Sequence, residues 1–328
     1  MRGVTNSDAR LHEVLMDLYL LRLTTRLADG LARQPEAFRR RHAAYLLACQ
    51  NDDGGFGGRD PASDLYYTAF ALRGLAILGE LAPETAAKAA GYVRLRLTGS
   101  ATVIDFFSLL YACLLIQAAT GTDVLTDAAA DWPERVAALL ESFRTPDGGY
   151  GKTPGSAFGS TYQTFLVALC YEMLGRSLPD INGTVRFVRE RRRDDGGFVE
   201  MKQMKRPGTN PTAAAVGLLQ MTGALDDATK SSVAEMLSYV QSAEGGLLAN
   251  ARIPAADLLS TFTGSWTLEE CGARDRIDRA AALRYVRTLE RPDGGFHGGS
   301  WDGGFDVEYT FYGLGAVALL EPQAAPTV

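Results

Sequence analysis

Two kinds of apolar pattern alternate along the chain. Segments such as TAFALRGLAILG and TFLVALCYEMLG are apolar nearly all round, which predicts helices buried on most sides. Segments such as AALRYVRTLER carry charge on one face and a recurrent aromatic on the other, at Tyr45, Tyr92, Phe187, Tyr239 and Tyr285. These predict helices with one face in water. Between the two kinds lies a Gly-Gly turn, in NDDGGFGG, TPDGGYGK, RDDGGFVE, SAEGGLLA and RPDGGFHG, where glycine supplies positive φ. The pairs begin at 54, 148, 196, 245 and 294, so they are spaced by 94 and then by 48, 49 and 49 residues. The first interval is about two periods, and SATVIDFFSLLYACLLI, residues 100–116, fills the unit that has lost its pair. Six units of just under fifty residues therefore cover most of the chain.

The register inside the units is tight. Apolar helices stop at Gly79, Gly175, Gly223 and Gly272, each able to form a left-handed cap. Fifteen residues before each cap lies position one, held by Asp64, Ser160, Gly208 and Asp257, and Asp306 matches by its distance from the turn. Asp105 fills it loosely in the degraded unit, and position five is Thr68, Thr164, Thr212, Thr261 and Thr310. Six alternating hairpins of outer amphipathic and inner apolar helices close most economically into a ring, because an open stack leaves apolar end faces to be capped. The expectation is an all-α fold, one α/α toroid domain over 1–328, with an N-terminal helix at about 8–34, repeats at about 35–320 and a short tail at 321–328. The inner helices would then start at one mouth around a shared cavity.

Composition narrows the function. The 328 residues are 46% hydrophobic, ample for a large core. A net charge of −6 without a basic tail makes nucleic acid a poor partner. Cys49, Cys113, Cys170 and Cys271 are far apart, which suits reduced thiols and a cytoplasmic location. No signal-peptide core is evident and charges interrupt the long apolar runs, so no membrane span is expected. Loops such as SWDGGFD lack the twelve-residue ligand spacing of a calcium site.

The DGGF turns, the near-fifty-residue period and the D-x-x-x-T helix start resemble the prenyltransferase and squalene-cyclase repeat family over roughly residues 40–320. The nearest in style are the β subunits of protein geranylgeranyl- and farnesyltransferases. That resemblance implies a prenyl diphosphate or other isoprenoid ligand and a helical-repeat α-type partner subunit. In such β subunits zinc is held by an Asp, a Cys and a His at fixed places in two successive units. The matching places here are Gly208, Asn210 and Ser260, and no neighbouring register supplies a Cys or His, so zinc is not expected. A diphosphate substrate would bring Mg2+ with it. By the same resemblance Lys202 and Lys205, with adjacent Arg206, match the basic residues that grip the diphosphate, although the family's phosphate-contacting His and Tyr are Gly159 and Pro211 here.

Class II terpene cyclases use the same helix start differently, with a proton-donating Asp at position three of D-x-D-D-T-A. Here Asp64-Leu65-Tyr66-Tyr67-Thr68-Ala69 keeps the first Asp but has Tyr at both inner places. Asp306-Val307-Glu308-Tyr309-Thr310 keeps an acid at position three. Glu308 is thus a candidate acid, with Asp306, Asp257 and Tyr309 as candidate catalytic neighbours. Such cyclases usually pack two toroids, and this chain has length for one. Asp64, Tyr66, Tyr67, Phe107 and Tyr162 are candidate substrate-binding residues at the cavity. The position-one aspartates serve equally as N-caps, worth about 1 kcal/mol each. Three readings stay open: a zinc-free prenyl diphosphate binder of transferase type, a cyclase-like enzyme using Glu308, and a non-catalytic toroid that binds lipid or protein.

Overall fold

The computed structural model describes residues 18–96, 102–126 and 128–322, which hold thirteen α-helices. Six of them are the apolar segments, α3 (Leu65–Leu78), α5 (Val103–Thr120), α7 (Thr161–Met173), α9 (Thr209–Met221), α11 (Leu258–Glu270) and α13 (Val307–Leu320). Each packs against the next, and α13 returns to α3, closing an inner ring. The amphipathic segments are α2 (Glu36–Ala48), α4 (Pro83–Arg94), α6 (Trp132–Glu141), α8 (Ile181–Arg189), α10 (Asp227–Tyr239) and α12 (Arg279–Thr288). They alternate with the inner helices as an outer layer, so the fold is the α/α toroid that the repeat predicts. Residues 103–120 are long and apolar enough to cross a membrane, yet as α5 they pack between α3 and α7.

The turn chemistry explains the recurring letters. The first glycine of each pair has φ between 89° and 102°, and Gly79, Gly175, Gly223 and Gly272 all end inner helices in the left-handed region. The Thr at position five links its turn to its helix. Thr68 Oγ1 accepts the Phe56 N–H at 2.9 Å and donates to the Asp64 carbonyl at 2.7 Å. Thr164 and Thr261 repeat both bonds. The residue after the Gly pair bridges to position one, as Phe56 to Asp64 and Tyr150 to Ser160. In the last unit that bridge grows into the two-stranded ribbon β1 (Phe296–Gly299) and β2 (Asp302–Asp306).

The second glycine of each pair gives room to the outer helix of the following unit. A Cβ on Gly55, Gly149 or Gly246 would collide with the rings of Tyr92, Phe187 or Tyr285 respectively. At Gly197 the partner is Met236, not Tyr239, which is 77% exposed. Met236 is the repeat member, 49 residues before Tyr285, and the expected aromatic at 239 is corrected. The ring closes by the same device, because the turn at Gly294 and Gly295 lies against Arg41 and Tyr45 of α2.

The closing seam is polar and specific. Nδ1 of fully buried His42 accepts the Gly295 N–H at 3.0 Å, so Nε2 carries the proton and faces Glu290 Oε1 at 3.3 Å. Arg41 and Arg287 also pair with Glu290. Burial alone would raise the Glu290 carboxyl, but the His42 and Arg287 contacts hold it down at about 2. Arg59, in the first unit's loop, pairs with Asp302 and Asp306 in the last.

The N-terminal helix has a role that no repeat signal carries. Of the expected 8–34 segment, residues 8–17 lie outside the described residues, and α1 spans Tyr19–Ala32. It lies across the ends of the inner helices. The Tyr19 N–H donates to Glu172 beside the end of α7 at 2.9 Å, and Arg22 pairs with Glu270 at the end of α11 at 2.9 Å. Arg26 pairs with Glu269 and reaches the Ala318 carbonyl of α13. A Cβ on Gly30 would stand 2.5 Å from that same carbonyl. Helix α1 therefore closes the ring at the end where the inner helices stop.

Candidate functional site

The ring encloses a cavity of about 450 Å³, within the range that binds small organic molecules. Its wall is mainly aromatic and aliphatic. Tyr66 and Phe70 come from α3, Phe107 from α5, Tyr162 and Phe165 from α7, Phe262 and Trp266 from α11, and Tyr312 from α13. Tyr19, Leu20 and Leu23 of α1 form the floor. Five rings form one connected group. Phe70 meets Tyr66, Phe311 and Tyr312 edge-on at centroid separations of 4.8, 5.6 and 5.4 Å, and Phe262 stacks on Tyr312 at 5.7 Å.

Two carboxyls line this apolar space, both near the starts of inner helices. Glu308 sits in the first turn of α13, and its Oε1 accepts the Tyr66 hydroxyl at 2.6 Å and the Tyr312 hydroxyl at 3.1 Å. Burial pushes its pKa above the usual carboxyl range, and the charge of Asp306 adds to the rise, against the lowering by the two tyrosines. The tyrosine phenols are themselves pushed up by burial, so they remain hydroxyl donors. The second carboxyl is Glu200, on the loop before α9. It accepts the Ser160 hydroxyl and the Tyr162 N–H, and burial raises its pKa too.

The structure separates the sequence candidates. Glu308, Tyr66, Phe107 and Tyr162 line the cavity together, whereas Asp64, Asp257, Asp306, Tyr67 and Tyr309 do not. The three aspartates cap helices. Asp64 accepts the Tyr66 and Tyr67 N–H groups, Asp257 that of Ser260 and Asp306 that of Tyr309. Tyr67 packs under Gly58, and Tyr309 lies 4.9 Å below the Arg59 guanidinium. Lys202, Lys205 and Arg206 are exposed on the loop before α9 and are not in the cavity wall. Lys202 is paired with Glu190 at 2.6 Å. Asn210, at a place that the resemblance gives to a metal ligand, accepts the Thr263 hydroxyl at 2.6 Å. Among the described residues no three His, Cys, Asp or Glu side chains are grouped to hold a metal.

Two charged cavity residues, Glu200 and Arg73, escaped the sequence reading, as did the rings of Phe70, Phe262, Trp266 and Tyr312. Arg73 has a signal that was available: it is the lone charge in TAFALRGLAILG. It is only 9% exposed, and its guanidinium lies over Phe311 at 4.0 Å, Phe70 at 4.8 Å and Tyr111 at 5.1 Å.

The Prenyltransferase alpha-alpha toroid domain matches this sequence over residues 18–110, 90–255 and 212–326. The chain belongs to that family. No curated protein matches it. Among solved structures, this toroid is similar to Candida albicans protein geranylgeranyltransferase-I complexed with GGPP, with a TM-score of 0.67 and 12% identity over 86% of this chain and 90% of that one. It is similar to the type II terpene cyclase MstE from Scytonema, with a TM-score of 0.57 and 18% identity over 90% and 97% of the two chains. A D-mannose isomerase gives a TM-score of 0.58 at 12% identity over 87% and 97%. The α/α toroid fold thus serves unlike reactions, and the chemistry of this chain must be argued from its cavity.

Proposed function

We propose that the cavity binds an isoprenoid chain and that Glu308 starts its cyclisation or isomerisation by protonating an alkene. The observation that carries this is one carboxyl in an aromatic cavity, with Oε1 held by Tyr66 and Tyr312. Oε2 makes no hydrogen bond among the described residues, so it is the oxygen left to carry the proton toward the ligand. Burial keeps that proton on at pH values where a free glutamate has lost it.

The step balances as follows. The Oε2–H bond breaks, its proton adds to one alkene carbon using the π pair, and the other carbon becomes cationic. The new carboxylate is held by the two tyrosine hydroxyls, which stabilise charge that develops only as the proton leaves. Ring faces of Tyr66, Phe70, Phe262 and Tyr312 stabilise the cation, each worth up to about 2 kcal/mol when desolvated. Loss of a neighbouring proton back to the Glu308 carboxylate ends the sequence as an alkene and restores the acid. The reaction needs no zinc, and the places where the transferase resemblance puts zinc ligands are Gly208, Asn210 and Ser260.

The comparison with the Scytonema cyclase supports one toroid as enough for such chemistry, since this chain covers 97% of it. Variants of that cyclase were solved with geranylgeranyl dihydroxybenzoate as substrate. The transferase reading, in which the Candida enzyme's GGPP is the guide, would require the diphosphate to sit at Lys202 and Lys205, which lie outside this cavity. The test is incubation with C15 and C20 polyprenyl substrates in D2O, followed by mass spectrometry of extracted lipids. Deuterium-labelled cyclised or isomerised product is expected from the wild type and none from Glu308→Gln. Equal product from both would remove Glu308 as the acid.

A further inference from the structure

Arg73 is the one basic residue that lines the cavity among the described residues, and the proton-transfer reading does not use it. It is 9% exposed, it lines the cavity, and its Nε is fully buried without a hydrogen-bond partner. Among the described residues it makes neither an ion pair nor a hydrogen bond, although two carboxyls share the same wall. An arginine does not deprotonate in a protein, so its charge persists there. The rings of Phe70, Phe107, Tyr111 and Phe311 surround the guanidinium, and cation–π attraction offsets only part of its lost hydration.

A free cation is also a poor neighbour for a carbocation. Arg73 sits seven residues beyond Tyr66 on α3, which is about 10 Å further along the helix. At that range, in an apolar space, an uncompensated guanidinium opposes positive charge developing on the ligand. A ligand that brings its own anion to Arg73 removes both difficulties.

We infer that Arg73 is the recognition residue for a carboxylate on the isoprenoid ligand, which enters with its acid end toward the α1 floor and its alkene at Glu308. This deepens the proposed function and rests on it. A carboxylate fits better than a diphosphate, because one guanidinium balances one charge and pairs with it through two parallel N–H bonds. A diphosphate would leave most of its charge uncompensated in an apolar cavity. Arg73 is also a specificity device, since the corresponding alcohol would leave the cation unpaired.

The test is ligand binding to the full chain, by calorimetry, with farnesoic acid, farnesol, farnesyl diphosphate, and a straight-chain acid and alcohol of matched length. The acid is expected to bind about tenfold or more tightly than farnesol and more tightly than the diphosphate. Arg73→Met is expected to erase the preference for acid over alcohol while keeping farnesol affinity. It should also raise the melting temperature, because an unpaired buried cation is removed. Equal binding of acid and alcohol to the wild type in both the farnesyl and the straight-chain pair overturns the inference, with no variant needed. So does a preference that survives in Arg73→Met, or a tightest fit for the diphosphate. An acid preference seen only in the straight-chain pair upholds Arg73 as the anion site and sinks the isoprenoid reading instead.

Discussion

The Tyr66 hydroxyl donates a 2.6 Å hydrogen bond to Glu308 Oε1 across 242 residues of sequence. The bond joins the first and last inner helices, so the candidate acid is oriented only when the ring is closed. It also fixes which oxygen keeps the proton.

The pH dependence of turnover tests the state of Glu308. Its folded pKa lies above the unfolded value, and the reaction needs the protonated form. Activity is expected to be full in mild acid and to fall as pH rises through the raised pKa. The same shift sets a sign for stability. The folded state holds this proton more tightly than the unfolded state, so the ionised carboxyl is a destabilising group at higher pH. Glu308→Gln should therefore abolish turnover and raise the melting temperature at pH 8 more than at pH 4, measured by thermal denaturation at both values.

Tyr66→Phe removes one of two donors to Glu308 without changing the cavity's volume much. Hydrogen bonds to charged groups contribute about 1.5–3 kcal/mol, so kcat should fall by roughly ten- to a hundredfold. Because that bond lowers the Glu308 pKa, its loss moves the descending limb of the pH profile upward. A fall in kcat with an unmoved limb would assign Tyr66 to packing alone.

Glu290 is the acid-sensitive element of the closing seam. Its carboxyl is held at about 2, below its unfolded value, by His42 and Arg287 despite burial. The stability it contributes is present above the unfolded pKa and is lost as pH falls toward 2, an effect on the order of 3 kcal/mol. Glu290→Gln should lower neutral-pH stability by a comparable amount and flatten the acid limb of urea-unfolding midpoints between pH 4.5 and 2.

Gly30 is where α1 meets α13, with no room for a Cβ beside the Ala318 carbonyl. Gly30→Leu overpacks that contact and should destabilise the protein by about 1–3 kcal/mol. Displacing α1 exposes the cavity floor, so binding of a hydrophobic dye in the native state is the second readout.

The double variant Lys202→Ala/Lys205→Ala separates the two enzyme readings. Both side chains are exposed and outside the cavity wall, so turnover of an isoprenoid acid should be unchanged. Loss of farnesyl diphosphate binding in this variant would restore the transferase reading.

The architecture was legible because each unit repeats its constraints. The turn glycines, the Thr at position five and the left-handed caps are set by local backbone geometry, which spells itself in letters. The error at Tyr239 shows the limit: an aromatic three residues from the right place drew attention from Met236, an apolar residue that fills the same notch against Gly197. The floor was not legible, because α1 is bound by contacts such as Arg22–Glu270 that link residues 248 apart and belong to no repeat. Within the cavity, Glu308 was found from its helix start. Glu200 was missed because a loop acid carries no periodic mark, and Arg73 because an otherwise apolar helix was read by its average.

The floor helix has a consequence for how the molecule is made. Residues 19–32 are made well before the surface that receives them, since Glu269, Glu270 and Ala318 follow their partners by 243, 248 and 292 residues. Helix α1 must therefore wait for α13, and a nascent chain that lacks α13 cannot be sealed at that end. The cavity gains its floor only once α13 has been made.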